Sequence, residues 1–188
     1  MFKSKKIYFL ISLFIFNLVA ITYLLWPIPP IPNLPNSIKS TEPGDTIQIP
    51  RVKAFYSNQD RQTIIDFYVQ NYRKKHPLAI KINHPPEKAK QIIKDTIQTY
   101  YLEEIIFPFK QSLFINGFDW QKDVFTKPEK REANKLIVNN QVFSNKLTLR
   151  YFPSSPISRL IILFLLETFI YISLINYKSI FSFKHAEK

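Results

Sequence analysis

Residues 7–26 read IYFLISLFIFNLVAITYLLW, twenty positions without one charged side chain. At about 1.5 Å per residue such a helix is about 30 Å long, which matches the hydrocarbon thickness of a bilayer. Residues 1–6 carry three lysines, and Tyr23 and Trp26 stand where an aromatic belt would lie. The stretch predicts a transmembrane helix. A cleaved signal peptide is the alternative, although no small-residue cleavage site follows.

Residues 157–177, ISRLIILFLLETFIYISLINY, form a second apolar run of span length. Its hydrophobic side chains cover every face of a helix, which favours a membrane span over the buried helix of a soluble domain. Arg159 is close enough to the end for its guanidinium to reach the interface, but Glu167 is the midpoint. The first run has its midpoint beside Asn17, so an antiparallel hairpin would place Asn17 and Glu167 at one depth.

An unpaired charge at the centre of a bilayer costs about 2.5–3.5 kcal/mol on insertion scales, so we expect Glu167 to be protonated, partnered or both. The Asn17 amide could supply that partner, since it both donates and accepts hydrogen bonds. A second membrane subunit or a second copy of the chain could supply it instead. A proton or ion relay is a third interpretation, although it normally needs more polar residues than two helices offer. A carboxyl without function is the fourth.

The Lys and Arg residues that flank the two runs predict their orientation. Six lysines lie in residues 1–6 and 178–188, against four Lys and Arg near the other ends of the runs. We therefore expect a cell-membrane protein with two spans, both short termini in the cytoplasm and residues 27–156 outside. Residues 27–50 contain seven prolines, which predicts an extended, semi-rigid linker.

Residues 51–153 predict a small α+β domain with about five strands and two main helices. Strand patterns occur in RVKAFYS, LAIKIN, KLIV, QVF and KLTLRYF (51–57, 78–83, 135–138, 141–143 and 146–152), with a hairpin at Asn139-Asn140. The first helix is expected to use Ser57 as N-cap and Asp60 three residues on. Its buried stripe would be Ile64, Ile65, Tyr68 and Tyr72.

The second helix is expected to begin at Pro85-Pro86 and to continue through Tyr101 to Pro108, which would kink or end it. A further helical piece over residues 108–115 would then stop at Gly117. The alternative is that Asn116-Gly117 forms the tip of a tight hairpin.

Composition excludes several classes of site. The chain has 2 glycines and no cysteine, so glycine-rich phosphate loops, disulfides, thiolate metal sites and cysteine nucleophiles are absent. The histidines lack metal-ligand spacing, and we expect neither a metal nor a cofactor. Asp95, Glu103 and Glu104 are weak candidates for catalytic carboxylates. Neighbouring residues of a helix point about 100° apart, so Glu103 and Glu104 would not face one substrate.

The formal net charge is +12, and residues 27–156 contribute 19 Lys and Arg against 12 Asp and Glu. These residues are scattered apart from Arg73, Lys74 and Lys75, which predict a basic surface. Outside the cell such a surface would favour anionic lipid or an acidic wall polymer, and no nucleic acid is expected.

The sequence as a whole predicts a structural, accessory or binding component of an envelope complex, with membrane lipid and a membrane-protein partner or a second copy as contacts. An enzyme is the less favoured interpretation: a membrane-anchored hydrolase or transferase. A third alternative has inverted topology, with a basic cytoplasmic domain that binds nucleic acid or lipid.

Overall fold

The computed structural model describes residues 2–43, 45, 51–92 and 101–186. The helices are α1 Phe2–Leu25, α2 Arg61–Arg73, α3 Pro86–Ile92 and α4 Pro156–Ala186, with a 3₁₀ helix at Pro128–Asn134. The strands are β1 Ser37–Lys39, β2 Val52–Ser57, β3 Ile80–His84, β4 Tyr101–Phe107, β5 Gln111–Asp119, β6 Leu136–Val138, β7 Gln141–Phe143 and β8 Asn145–Pro153. The chain forms two compact units: Met1–Ile28 with Ser154–Lys188, and Pro29–Pro153.

The Pro29–Pro153 unit is built on a six-stranded antiparallel sheet with the order β1-β2-β8-β5-β4-β3. A separate hairpin pairs β6 with β7. The predicted α+β class is confirmed, but the expectation of about five strands is too low, because the described residues contain eight. The three additional strands are β1, β4 and β5.

Strand periodicity located the other five strands. Val52–Ser57, Ile80–His84 and Asn145–Pro153 coincide with three of the predicted runs. Asn139 and Asn140 have φ angles of 50° and 59° and form the two-residue turn between β6 and β7. Such turns need a positive φ at both central residues, and asparagine tolerates it. The predicted hairpin is confirmed.

Helix α2 covers one face of the sheet. Its apolar stripe is buried as predicted, at Ile64, Ile65, Tyr68 and Tyr72. Tyr72 packs edge-on against Phe107 and Tyr151, with ring centroids 5.4 and 6.3 Å away. These contacts place the core between the helix and the middle strands.

The predicted N-cap of α2 is wrong. Asp60 caps the helix, since its carboxylate accepts a hydrogen bond from the Thr63 amide at 3.0 Å. Ser57 is instead the last residue of β2 and is fully buried. The strand ends at Ser57, as its predicted run did, but the helix begins three residues later than a cap at Ser57 would have placed it.

Residues 101–119 differ most from the prediction. The helix expected to continue through Tyr101 to Pro108 and the helical piece expected over residues 108–115 are the antiparallel strands β4 and β5. The alternative hairpin tip at Asn116-Gly117 is also wrong, because the turn lies at residues 108–110 and Gly117 is within β5. The part of the predicted second helix at residues 93–100 lies outside the described residues.

Part of the predicted extended linker packs onto the sheet. Ile31 and Leu34 are buried, and Ser37–Lys39 pair with β2 as an edge strand. The Lys53 ammonium donates to the Ile31 carbonyl at 2.5 Å. Over residues 29–40 the proline-rich segment is therefore part of the folded domain.

Helices α1 and α4 are long and apolar enough to span a membrane, over Ile7–Leu25 and Pro156–Tyr177. Their hydrophobic side chains are exposed on most sides. The two helices contact each other, and the Arg159 guanidinium donates to the Leu24 carbonyl at 2.9 Å.

Candidate functional site

Glu103 and Glu104 are consecutive residues of β4, so their side chains leave opposite faces of the sheet. A helix would have set them about 100° apart, whereas the strand sets them about 180° apart. The expectation that they do not face one substrate stands, but its helical reason is wrong. Asp95, the third candidate carboxylate, lies outside the described residues.

Glu103 is on the face that α2 covers, and it is only 3% exposed. Arg61, in the first turn of α2, donates through Nη2 to Glu103 Oε1 and, at 2.7 Å, to Asn83 Oδ1. The same guanidinium lies 4.8 Å from the ring centroid of Tyr101. Glu103 Oε2 is enclosed and has no hydrogen-bond partner in the described part of the chain. These contacts of Arg61 hold the start of α2 against β3 and β4.

Tyr101 depends on the absence of a side chain at Gly117. The two residues are opposite each other in β4 and β5, and Tyr101 is 1% exposed. A Cβ atom at Gly117 would lie 1.9 Å from Tyr101 Cζ. Burial raises the pKa of Tyr101 well above its ordinary value. Gly117 therefore leaves the space that the ring of Tyr101 occupies.

Glu104 is on the opposite face and pairs with His84, whose Nε2 is 2.9 Å from Glu104 Oε2. The His84 ring stacks on Phe114 with ring centroids 6.2 Å apart. His84 ends strand β3, and His76 is buried against Phe107. These two histidines are thus packed within the domain, and no cluster of three or more His, Asp or Glu suited to a metal occurs among the described residues.

An open groove of about 470 Å³ lies on the Glu104 face, at the end of the sheet that holds the β4–β5 turn. Its lining is mostly hydrophobic and includes Ile92, Ile106, Phe109, Ser112, Phe114 and Phe152. Glu103 and Glu104 are not among the lining residues. This apolar groove suits an apolar surface or chain better than a polar substrate, because its described lining residues are mostly hydrophobic and include no carboxylate.

A second polar cluster is centred on Lys146 of β8. Its ammonium contacts Glu42 Oε2 at 2.7 Å and Asp45 Oδ2 at 3.0 Å, and the Tyr56 hydroxyl donates to the other oxygen of Glu42. The hydrogen bonds from Lys146 and then Tyr56 lower the pKa of Glu42. Burial alone would lower the pKa of Lys146, but hydrogen bonds to the two carboxylates raise it above its usual range. No sequence pattern indicated this cluster, since residues 42 and 45 belong to the predicted linker.

Arg73, Lys74 and Lys75 are exposed at the carboxyl end of α2. Positive side chains there complement the partial negative charge of a helix terminus. This arrangement accounts for the three residues structurally, and their role as a basic binding surface stays a prediction.

Asn17 and Glu167 both lie on the partly covered side of their helices. The partly covered positions of α1 include Asn17 and Ala20, and those of α4 include Leu163 and Glu167. Asn17 Nδ2 donates to the carbonyl of Leu13 in its own helix at 3.1 Å. Glu167 Oε1 is enclosed and has no hydrogen-bond partner among the residues described. Pairing of Glu167 with Asn17, or with a second protein, stays a prediction.

The described polar groups of the domain serve mainly to fix its own elements. Arg61 holds α2 to the sheet, His84 joins β3 to β4, and Lys146 holds residues 42 and 45 against β8. The features without such an internal use are the apolar groove, the exposed basic residues and the carboxyl of Glu167. Comparisons with protein-family models, curated proteins and solved structures find no match to this chain.

Proposed function

We propose that the chain is an integral membrane protein with two spans, whose basic α+β domain lies outside the cell at the membrane surface and serves as a binding component of an envelope complex. The apolar side chains exposed around α1 and α4 support the spans, since hydrophobicity on every face is the mark of a helix surrounded by lipid. The length of each apolar stretch, 19 and 22 residues, matches a bilayer.

The polar side chains of these helices support the same proposal. Asn17, Thr22 and Thr168 each donate to the carbonyl four residues earlier in their own helix. Such bonds satisfy a polar group where no water is present. Arg159 donates to carbonyls near the ends of α1 and α4, where it can also reach the interface.

Glu167 is the observation that carries the binding role. It is at the middle of its apolar stretch, and its Oε1 lacks a hydrogen-bond partner among the described residues, whereas the polar side chains of Asn17, Thr22 and Thr168 each have one. A carboxyl in lipid needs a donor or a proton, so a polar group from a second membrane subunit or a second copy would stabilise it. Assembly within the membrane is therefore the best-supported role.

Catalysis is less well supported than binding. Glu103 and Glu104, two of the three carboxylates proposed for a membrane-anchored hydrolase or transferase, contact separate basic side chains on opposite faces of the sheet, and neither lines the apolar groove. A basic, partly aromatic surface instead suits contact with anionic lipid, an acidic wall polymer or a protein partner.

Crosslinking in the native membrane tests the proposal. A photoreactive residue at position 167 should capture one defined membrane subunit or a second copy, whereas the same residue at exposed Phe169 should capture mainly lipid. Reporters active on only one side of the membrane, fused after residues 40 and 188, should place residue 40 outside and residue 188 inside. Equal capture from positions 167 and 169 would contradict the binding role, and residue 40 in the cytoplasm would contradict the orientation.

A further inference from the structure

The turn between β4 and β5 exposes an aromatic side chain at a position where a large residue is unfavourable. Pro108, Phe109 and Lys110 form the turn, and the Lys110 amide donates to the Phe107 carbonyl at 2.9 Å. Phe109 has a φ of 57° and is 77% exposed. Turns with proline second and a positive φ third normally place Gly or Asn third. The chain has instead a strained backbone that points a phenylalanine away from the core.

A second exposed aromatic residue lies at the same end of the sheet. The register pairs Gln111, directly after the turn, with Pro153 at the end of β8. Phe152 is 50% exposed and packs edge-on against Phe114 at 5.1 Å. Phe109 and Phe152, which we term the aromatic end, both line the apolar groove.

Chain continuity ties this end of the sheet to the second apolar helix. Only Ser154 and Ser155 separate Pro153 from Pro156, the first residue of α4. Consecutive Cα atoms are about 3.8 Å apart, so the Cα atoms of the two prolines lie within about 11 Å of each other. The last residue of β8 is therefore close to the point where α4 would enter lipid.

We propose that the aromatic end inserts into the interfacial layer of the membrane that holds α4, an inference that rests on the proposed function. The occupant of this surface is the headgroup and upper acyl region of the bilayer. The Arg150 guanidinium, 4.9 Å from the ring centroid of Phe152, adds a cation beside the aromatic ring. Aromatic and basic side chains together are typical of membrane interfaces, where apolar rings reach the acyl boundary and cations meet headgroups.

Spin-label depth measurements on the full chain in lipid vesicles test this inference. The sequence has no cysteine, so each variant carries one label without removal of native residues. Phe109→Cys and Phe152→Cys report on the aromatic end, and Ile170→Cys reports on the middle part of α4. Ile137→Cys is the matched control: it is exposed, and it lies in the β6–β7 hairpin that precedes β8. The hairpin ends at Phe143, just before Asn145 at the start of β8. Asn145 is about 27 Å from Pro153 at the other end of the strand, so the control label is far from the aromatic end along the sheet.

Labels at 109 and 152 should lie about 5–10 Å into the headgroup–acyl boundary, as for other interfacial apolar surfaces. Their ratio of oxygen to nickel-chelate accessibility should be several-fold above that at 137 and below that at 170. Phe109→Asp should shift the 152 label toward the aqueous value, which confirms that the native ring contributes.

Each other outcome has a separate meaning. Aqueous values at 109 and 152 with a deep value at 170 would overturn the membrane contact and leave the two-span proposal intact. An aqueous value at 170 would overturn both. Labels at 109 and 152 that are immobilised and shielded from oxygen and nickel alike would identify a protein partner at this surface, and so overturn the lipid assignment.

Discussion

Arg61 and Glu103 form an ion pair that joins the first turn of α2 to the interior of the sheet. The Glu103 side chain is 4% exposed, while that of Arg61 is 36% exposed. The pair is thus buried at the carboxylate and partly solvated at the guanidinium. Because Glu103 Oε2 has no partner among the described residues, Arg61 supplies the charge compensation that permits the carboxylate to be buried.

We predict that Arg61→Met lowers the free energy of unfolding of the domain by about 1–3 kcal/mol, because it leaves a buried carboxylate without its cation. Urea unfolding of the full chain in detergent, followed by fluorescence of buried Trp120, measures the change. Adding Glu103→Gln should recover part of the loss. Glu132→Gln, which breaks the exposed pair with Lys135, is the control and should cost at most about 1 kcal/mol. Equal effects of the Arg61 and Glu132 variants would contradict the role given to burial.

Gly117→Ala should destabilise the domain by about 1–3 kcal/mol, because the added methyl group overlaps the ring of Tyr101 and neither strand can move without disturbing the core. The same urea measurement detects it. Ser112→Ala, a half-buried position on the same strand, is the control and should have little effect. Gly117→Ala combined with Tyr101→Leu should be less destabilising than the sum of the two single variants, and strict additivity would show that the contact does not matter.

The Lys146 cluster predicts weaker anchoring of residue 42 in acid. The pKa of Glu42 is lower in the folded chain than its ordinary 4.5, so its contribution is fully present above that value and is lost as pH falls through the folded pKa. Glu42→Gln should therefore unfold at a lower urea concentration than the native chain at about pH 7, and the difference should shrink by about pH 3. A difference that is constant with pH would show that Glu42 acts through packing alone.

Glu167→Leu should weaken assembly in the membrane by about 0.6–2 kcal/mol, or about three- to thirtyfold in the association constant, because it removes a polar contact between helices. Energy transfer between labelled chains in vesicles measures self-association, and co-purification measures a partner subunit. Glu167→Gln keeps hydrogen-bonding capacity and should have a smaller effect, while Phe169→Leu is the control. Unchanged assembly and unchanged membrane insertion in the Glu167→Leu variant would contradict pairing in either form.

The strands that the sequence predicted correctly share a visible pattern. In β8, for example, Leu147, Leu149 and Tyr151 alternate with Lys146, Thr148 and Arg150, so buried and more accessible positions follow the period of a strand. The Asn139-Asn140 turn carries the residue type that its backbone requires. In β8 and in this turn, the local sequence pattern was sufficient to predict the structure.

Strands β4 and β5 lack that pattern because both are inside the sheet and largely covered on both faces. Tyr101, Leu102 and Glu103 are buried in succession, so TYYLEEII has no period of two and fits a helix equally well. The turn adds to the ambiguity, since Phe109 occupies a position where Gly or Asn would mark a hairpin. Gly117 was interpreted as a helix stop because its structural role cannot be seen in the local sequence. The glycine makes room for the ring of Tyr101, which is on the neighbouring strand.

The contacts of the candidate site were harder to predict from the sequence than the fold was. Glu103 and Glu104 are adjacent in sequence, but only the sheet assigns them to Arg61 on one face and His84 on the other. The partners are 42 and 20 residues away along the chain, beyond the reach of any local pattern. Glu167 was recognisable because its signal is local: one carboxyl in an apolar run of span length.

The hydroxyl of Tyr151 donates to the carbonyl of Pro29 at 2.8 Å, so the first and last parts of the domain are side by side. A unit whose two ends meet is a topological insertion, which a short bridge can replace without lengthening the connection between the flanking segments. The proximity of its two ends makes the domain a replaceable insertion in geometric terms. A few linking residues between α1 and α4 would span the gap that it leaves.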